Sequence, residues 1–320
     1  MKKYDVTALG ELLIDLTQNG MSPQGNPMLE ANPGGAPCNV LALLTKLGHN
    51  TAFIGKVGKD GFGDQLEDAL KEVGIATEGL GRDDQVHTTL AVVHTFADGD
   101  RDFSFYRNPG ADMMLTKEEV KMDLIRDSKI FHFGTLSMTD EPVRSATYAA
   151  IEEAEKNGVL RSFDPNLRPP LWKTLEDAKV QVLYGMAHCD ILKISDNEIQ
   201  WLTGLEDFDE GINWIKERFP QIRLILLSMG KDGSRAYSGE TMAEAGGFTV
   251  DTIETTGAGD TFFGGVLHYV LEHELRSYTE EELKEMLTFA NAGAAIVTTK
   301  KGALRVMPSQ QEIQALIDGK

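Results

Sequence analysis

The chain has 320 residues, 41% hydrophobic and 25% charged, the balance of a globular protein large enough for one big domain or two ordinary ones. Its formal net charge of -19 excludes a broad electrostatic attraction to nucleic acid or to an anionic membrane, so any anionic ligand must be held by a local device. No window reaches the roughly 18 apolar residues of a membrane helix, and two cysteines, Cys38 and Cys189, are too few for a disulfide framework, which points to a reducing, cytoplasmic setting.

The opening MKKYDVTALGELLIDL has a short basic end but neither a long apolar run nor a small-residue cleavage site; it reads as a first strand, Tyr4–Leu9, and not as a signal peptide. Thr17–Pro33, rich in Gly, Pro, Asn and Met, has no regular rhythm. A helix over Asn39–Leu47, a strand over Thr51–Val57 and a helix over Gly63–Val73 follow. Val86–Arg107 alternates apolar residues on either side of Asp98-Gly99 and predicts a hairpin. Beyond it come strands at Ile130–Phe133, Val159–Phe163, Ile191–Ile194 and Leu224–Ser228, with helices at Glu141–Asn157, Glu198–Leu202 and Asp209–Phe219 between them. This alternation predicts an α/β fold with a mostly parallel sheet covered on both faces. The two segments that break the rhythm predict a small accessory β element outside that sheet; the other reading is a pair of long surface loops. No internal repeat or low-complexity linker divides the chain.

The chemistry concentrates in short motifs. In ETTGAGDTFFGGVLHYVLEHEL, apolar Phe263, Val266, Leu267, Val270 and Leu271 mark one face of a helix. Thr256 or Asp260 would be its N-cap, and Gly257-Ala258-Gly259 would leave bare N–H groups at the positive end of the helix dipole, a ready anion site. Asp260 beside an anion makes sense if it faces a hydroxyl and accepts its proton. The bare motif reads equally as a glycine turn with a capping acid. Gly34-Gly35 permits close ligand approach or a hinge, with Asn39 at a helix start. Ser228-Met229-Gly230-Lys231-Asp232-Gly233 is a glycine loop after a strand, neither a Walker loop nor a Rossmann fingerprint. Asn166 and Arg168 of FDPNLR leave another strand, and Arg suits phosphate. Glu198 in KISDNE offers a carboxylate for hydrated Mg²⁺ or a plain helix cap. The histidines show no metal-ligand spacing, and His132 reads as a core or strand-end residue.

In their joint order GELLIDL, PGGAPCNVLALLTKLG, GKVGKDGFG, FDPNLR, SMGKDG, TTGAGDTFFGG and FANAGAAIVTTKKGA resemble the PfkB (ribokinase-like) carbohydrate kinases over about Tyr4 to Pro308. Within that family NPGGAPCNV, FYRNPGADMML and FDPNLRPPLW are most similar to bacterial fructokinases. The resemblance implies a single ribokinase-like domain over residues 1–320: a Rossmann-type three-layer core and a β lid from about residues 16–33 and 86–108, the lid doubling as a homodimer contact. It implies transfer of a phosphoryl group from ATP, with Mg²⁺, to the 6-hydroxyl of D-fructose. Asp260 matches the catalytic base, the backbone of Gly257, Ala258 and Gly259 the anion hole, and Arg168 a residue near the phosphate. Asp15, Gly34, Gly35, Asn39 and Asn166 match sugar-site positions, and Arg107 a lid residue reaching the sugar. Ser228, Gly230, Gly233, Asn291 and Lys193 fall on the nucleotide side, and Glu198 on the Mg²⁺ side.

Three positions depart from the family pattern. Ser195 replaces the Asn of Asn-x-x-Glu; Glu254 stands where an Asp borders the monovalent-cation region, leaving a K⁺ requirement open; Leu41 stands where a small residue is usual. The competing acceptor is 2-keto-3-deoxygluconate, whose acid group would want an extra cation in the pocket; ribose or a nucleoside ranks below it. A sugar-binding homologue without turnover is opposed by the intact Asp260 and its glycine turn. A dehydrogenase would need G-x-G-x-x-G after the first strand, where Gly10-Glu11-Leu12 stands instead.

Overall fold

The computed structural model describes residues 2–95 and 101–319. The expected hairpin turn at Asp98-Gly99 lies outside the described residues. The strands are Tyr4–Leu9 (β1), Leu13–Met21 (β2), Pro27–Gly34 (β3), Thr51–Gly58 (β4), Ala76–Asp83 (β5), Leu90–Thr95 (β6), Arg101–Tyr106 (β7), Ser128–Gly134 (β8), Leu160–Asp164 (β9), Ile191–Ser195 (β10), Leu224–Ser228 (β11), Ser234–Ser238 (β12) and Thr241–Ala245 (β13). The helices are Ala36–Lys46 (α1), Gly61–Val73 (α2), Met122–Arg126 (α3), Val143–Lys156 (α4), Leu175–Ala187 (α5), Asp196–Thr203 (α6), Phe208–Arg218 (α7), Ala258–His273 (α8), Glu280–Thr298 (α9) and Gln310–Ile317 (α10).

Nine strands form one sheet in the order β13-β12-β11-β10-β9-β8-β1-β4-β5, parallel from β5 to β11, with β12 and β13 added antiparallel. Every residue of β4 is buried, as a strand covered on both faces requires. One face packs on α1, α2, α8 and α9 through residues such as Leu43, Phe53, Phe263 and Leu287; the other packs on α3 to α7 through Phe131, Phe163, Ile151 and Ile215.

The two arrhythmic segments join in a separate four-stranded sheet, ordered β3-β2-β6-β7. It starts earlier than the composition indicates, at Leu13, because LLID still reads as an apolar run although it has already left the main sheet. Gly35, with φ 128°, is the single residue between β3 and α1; a Cβ there would meet the Glu11 carbonyl oxygen at 2.4 Å.

Six helices open on an Asp, Ser or Thr whose side chain accepts an N–H of the first turn: Asp60, Thr174, Ser195, Asp207, Thr279 and Ser309. α8 differs. Its N-cap is Gly257 in the left-handed region, with no side-chain cap, and not Thr256 or Asp260 as expected. Asp260 is the third residue of the helix, one turn too deep to cap its start.

Candidate active site

After β1 the chain adds β4 and β5 on one side, then β8 to β11 on the other. The crevice at such a switch point, outside the carboxyl ends of the strands, is where open α/β sheets bind ligands. Here it is a cleft of about 500 Å³ between the main sheet and the small sheet, walled by Glu11, Asp15, Asn39, Asn166, Arg168, Lys193, Glu198, Ser228, Gly257, Gly259 and Asp260 among others.

Asp260 sits at its floor. The Asn39 side-chain amide donates to Oδ2 at 2.8 Å and the Asn166 amide to Oδ1 at 3.3 Å. Asn39 is the fourth residue of α1, so it aims into the cleft and does not cap the helix. Asn166 holds φ 45°, a strained value for a non-glycine residue, in the loop after β9. Burial raises the Asp260 carboxyl above its usual range, while the two amides, Lys193 and Arg168 oppose that rise. Ala258 N–H donates to the Thr255 carbonyl at 3.2 Å. Among the described residues the N–H groups of Gly257, Gly259 and Asp260 have no acceptor in the protein, so of the expected Gly257–Gly259 cradle only Ala258 is engaged, and Asp260 adds a further open donor. Gly257 is needed for another reason: a Cβ there would stand 2.6 Å from Ala303 Cβ.

Asp15, on the cleft face of β2, pairs in register with Asn32 of β3. Burial, then the charges of Glu254 and Asp260, push its carboxyl up to about 7 against the pull of Arg168. A Cβ on Gly34 would meet Asp15 Oδ2 at 2.2 Å, so glycine makes room for the acid. Glu11, absent from the expected set, is buried at the cleft wall; burial lifts it to about 7, and its Oε1 accepts the Ala36 N–H at 2.7 Å. It caps α1 from 25 residues away. An acid two residues past the end of the first strand, after Gly10, is the signal that could have found it.

Lys193 pairs with Asp164 at 2.9 Å. Burial works to lower the lysine, yet Asp164, Glu198 and Asp260 more than compensate and raise it; burial lifts Asp164 to about 6. Ser195 and Glu198 form a capping box on α6: Glu198 Oε2 accepts Ser195 N–H and Oε1 accepts Leu167 N–H, each at 2.8 Å. Glu198 thus ties the Asn166–Arg168 loop to α6. Serine at 195 is itself the cap that sets this geometry.

A second chamber of about 290 Å³ adjoins the cleft and shares Ser228, Gly230, Thr255 and Gly259 with it. Gly233, Phe248, Val250, Ala258, Phe262, Ala294 and Asn291 complete a largely apolar wall. Asn291 lines it, but its polar atoms are engaged: Oδ1 accepts from Ser234 Oγ, and Nδ2 donates to the Ala245 and Gly246 carbonyls at 3.0 and 3.2 Å. It shapes the chamber instead of presenting a polar group to it. Gly233, φ 100°, allows the close pass of β13, since a Cβ would lie 2.1 Å from Ala245 O.

Arg107 departs from its expected place. It does not line the cleft; it is buried behind it, bound to Asp112 at 2.7 Å, to Thr139 Oγ1 at 3.0 Å and to the Leu136 carbonyl at 2.9 Å. Its guanidinium braces the Leu136 turn, which does border the cleft, and Phe105 two residues earlier is the β7 side chain that reaches it. Glu254, whose substitution for Asp had no account, accepts from Thr256 Oγ1 at 2.6 Å and from Gly302 N–H at 3.0 Å, joining the loop before α8 to the loop after α9. His132 is the buried core residue expected: it bonds Ser162 at 3.1 Å, and burial drives it down to about 3.

Among the described residues no helix is long and apolar enough to cross a membrane. A profile of the pfkB family carbohydrate kinases matches residues 3–310. Fructokinase-2 of Solanum lycopersicum is 42% identical over 316 residues, covering 98% of this chain and 96% of its own. A fructokinase of Xylella fastidiosa solved with bound ATP superposes with a TM-score of 0.90 at 31% identity, over 100% of this chain and 99% of the other. A fructokinase of Vibrio cholerae O395, solved with fructose, ADP and calcium, gives 0.87 at 29% identity, over 98% and 99%. The ribokinase-like core and the separate small sheet are therefore those of these relatives, and the chain belongs to the pfkB family of carbohydrate kinases.

Proposed function

We propose that this chain is an ATP-dependent fructokinase that transfers the γ-phosphoryl group to the 6-hydroxyl of D-fructose. The observation that carries the proposal is Asp260, held by two amides between an acid-lined pocket and the open N–H groups of α8. Fructose and ATP are the ligands of solved relatives that cover nearly the whole chain. Asp15, Glu11 and Asn39 supply acceptors and a donor for sugar hydroxyls. The cations at the cleft are Arg168 and Lys193, and Lys193 is already paired with Asp164. A 2-keto-3-deoxygluconate carboxylate would face Asp15 and Glu11 without a cation of its own, which favours the neutral sugar.

In the proposed mechanism Asp260 accepts the proton of the sugar hydroxyl as that oxygen attacks in line. Asn39 and Asn166 aim both carboxylate oxygens and favour the charged form against burial. The N–H groups of Gly259 and Asp260 and the Arg168 guanidinium receive charge developing on the phosphoryl oxygens. The apolar chamber beside Phe248, Val250 and Phe262 takes the adenine, and Ser228 and Gly230 border the phosphates. Glu198 and Asp196 fit a hydrated Mg²⁺: both Glu198 oxygens already accept backbone N–H groups, which suits contact through water. When bound, that ion neutralises phosphate charge. Glu254 carries the K⁺ question, since its oxygens tie two loops where many family members border a monovalent ion.

The small sheet acts as a lid that turns Leu13, Asp15 and Phe105 onto the sugar and excludes water, with Gly35 as hinge. Leu29 and Tyr106 are exposed on the face of the small sheet opposite Asp15, and a second copy of the chain would cover them in a homodimer. Two buried free cysteines agree with a cytoplasmic site. A coupled assay of ADP release over fructose, 2-keto-3-deoxygluconate, ribose, glucose, mannose and adenosine tests the function. The expected result is the highest kcat/KM with fructose; no sugar exceeding the ATP-only rate would overturn the kinase reading, and a better 2-keto-3-deoxygluconate would overturn the acceptor.

A further inference from the structure

On the far half of α8, away from the cleft, three ligating side chains converge from distant parts of the chain. His268 and Glu272 are four residues apart on α8 and share one face of the helix. His49, in the turn between α1 and β4, meets them, its Nε2 lying 2.8 Å from His268 Nδ1. One ligand atom from each of the three lies within 4.8 Å of the other two. The second nitrogen of His49, Nδ1, faces Asp5 Oδ2 at 3.8 Å, and Asp5 is itself fixed by Lys129 and by the Asn50 N–H. A carboxylate behind a histidine is the arrangement that sets the tautomer of a ligating imidazole and turns the other lone pair outward. Beside the cluster opens a cavity of about 750 Å³ lined by His268, Glu272, His273 and Glu285, which gives an ion a way in and leaves room for a water ligand.

We propose that His49, His268 and Glu272 bind one divalent transition-metal ion of the Zn²⁺ class at a site separate from the phosphoryl-transfer cleft. Two imidazoles and one carboxylate, with water in the fourth position, are a donor set for such an ion and not for Mg²⁺ or Ca²⁺, which take oxygen ligands. Bonds of about 2.0–2.1 Å in a tetrahedron need the two nitrogens roughly 3.3 Å apart. The present 2.8 Å contact is a hydrogen bond that the ion would replace as the two rings part by about half an ångström. The bound ion would cross-link the turn after α1 to the helix whose first turn carries Asp260. It would stabilise the fold by mass action without entering the reaction.

The test uses the full chain, freed of metal and titrated with Co²⁺, whose visible bands report a nitrogen–oxygen site of low coordination number. The expected result is one Co²⁺ per chain, displaced by Zn²⁺, and a Tm that rises with Zn²⁺. Glu272→Gln and His268→Ala each weaken binding by roughly tenfold or more. Turnover in metal-chelated buffer with Mg²⁺ and ATP stays at the wild-type level in both. Glu272 is exposed, so its variant keeps the fold and tests the site even if His268→Ala destabilises the helix packing. Absence of saturable Co²⁺ binding, or saturable binding that both variants leave unchanged, overturns the proposal.

Discussion

Asp260 must be ionised to accept a proton, and burial works against its charge. The amides of Asn39 and Asn166 oppose that rise without cancelling it, so the proposed base depends on two residues that take no proton. Asp260→Asn is expected to lower kcat by roughly 10²–10⁴ while leaving ATP affinity within a few-fold. Asn39→Ala removes a hydrogen bond to the charged form and raises the carboxyl further. The acid limb of kcat/KM then moves to higher pH, a shift that simple loss of packing would not produce. A pH–rate profile of the two proteins checks it; superposable acid limbs would refute the role given to Asn39. Asn39 also shows a limit of sequence reasoning. Its position near a helix start suggested a cap, because the chain does not say that the start is three residues earlier and that the side chain points away from it.

At the scale of the element, the first turn of α8 is the decisive piece. Most other helices spend a side chain on their own N–H groups, and α8 does not. Gly257→Ala would place a side chain at φ 78° and 2.6 Å from Ala303. It should cost about 1–3 kcal/mol of stability. The larger effect falls on turnover, as the open N–H groups shift. Thermal denaturation and single-turnover phosphoryl transfer separate the two; a variant with lowered Tm but unchanged single-turnover rate would show that the turn is only structural. The glycines were legible in the sequence, since φ above zero and close approach have few other solutions. Which N–H groups remain open was not, because it depends on a turn closed by the Thr255 carbonyl.

Across the whole molecule, buried acids make an uncommon pH signature. Glu11 and Asp15 are raised to about 7 and Asp164 to about 6, whereas in the unfolded chain they titrate in the ordinary carboxylate range. Between those values the folded state binds more protons than the unfolded one, so these groups cost stability as pH rises through that window. Below it the paired acids with lowered values, such as Glu282 and Glu312 at about 2, lose their contribution instead. The buried histidines His132 and His268, lowered to about 3 and 4, work the other way around pH 6, so the acid contribution is read by comparison with a variant. Asp15→Asn should raise Tm more near pH 8 than near pH 6 while impairing fructose binding. Scanning calorimetry of the two proteins across that range decides; a Tm difference that does not grow from pH 6 to 8 contradicts it. The proposed homodimer is tested at the same scale. Leu29→Glu on the outer side of the small sheet should yield monomers by sedimentation equilibrium, and an unchanged mass would move the interface elsewhere.

The sequence by itself determined the main sheet, the family motifs and the acid at the glycine turn. Periodicity and glycine spacing are local properties, and β1 and β11 begin and end where the apolar runs do. Shorter or less patterned elements, β5, β12 and β13, escaped it, since their polar residues alternate too weakly without the neighbours that cover them. Only the tertiary structure decided that Arg107 turns inward to Asp112, that Glu11 caps α1 from 25 residues away, and that Glu254 bridges two loops. The same holds for His49 and His268, 219 positions apart in the chain and 2.8 Å apart in space. Such pairings depend on which strand ends the fold brings together, and that is set by burial of the whole core and by no spacing a single chain displays.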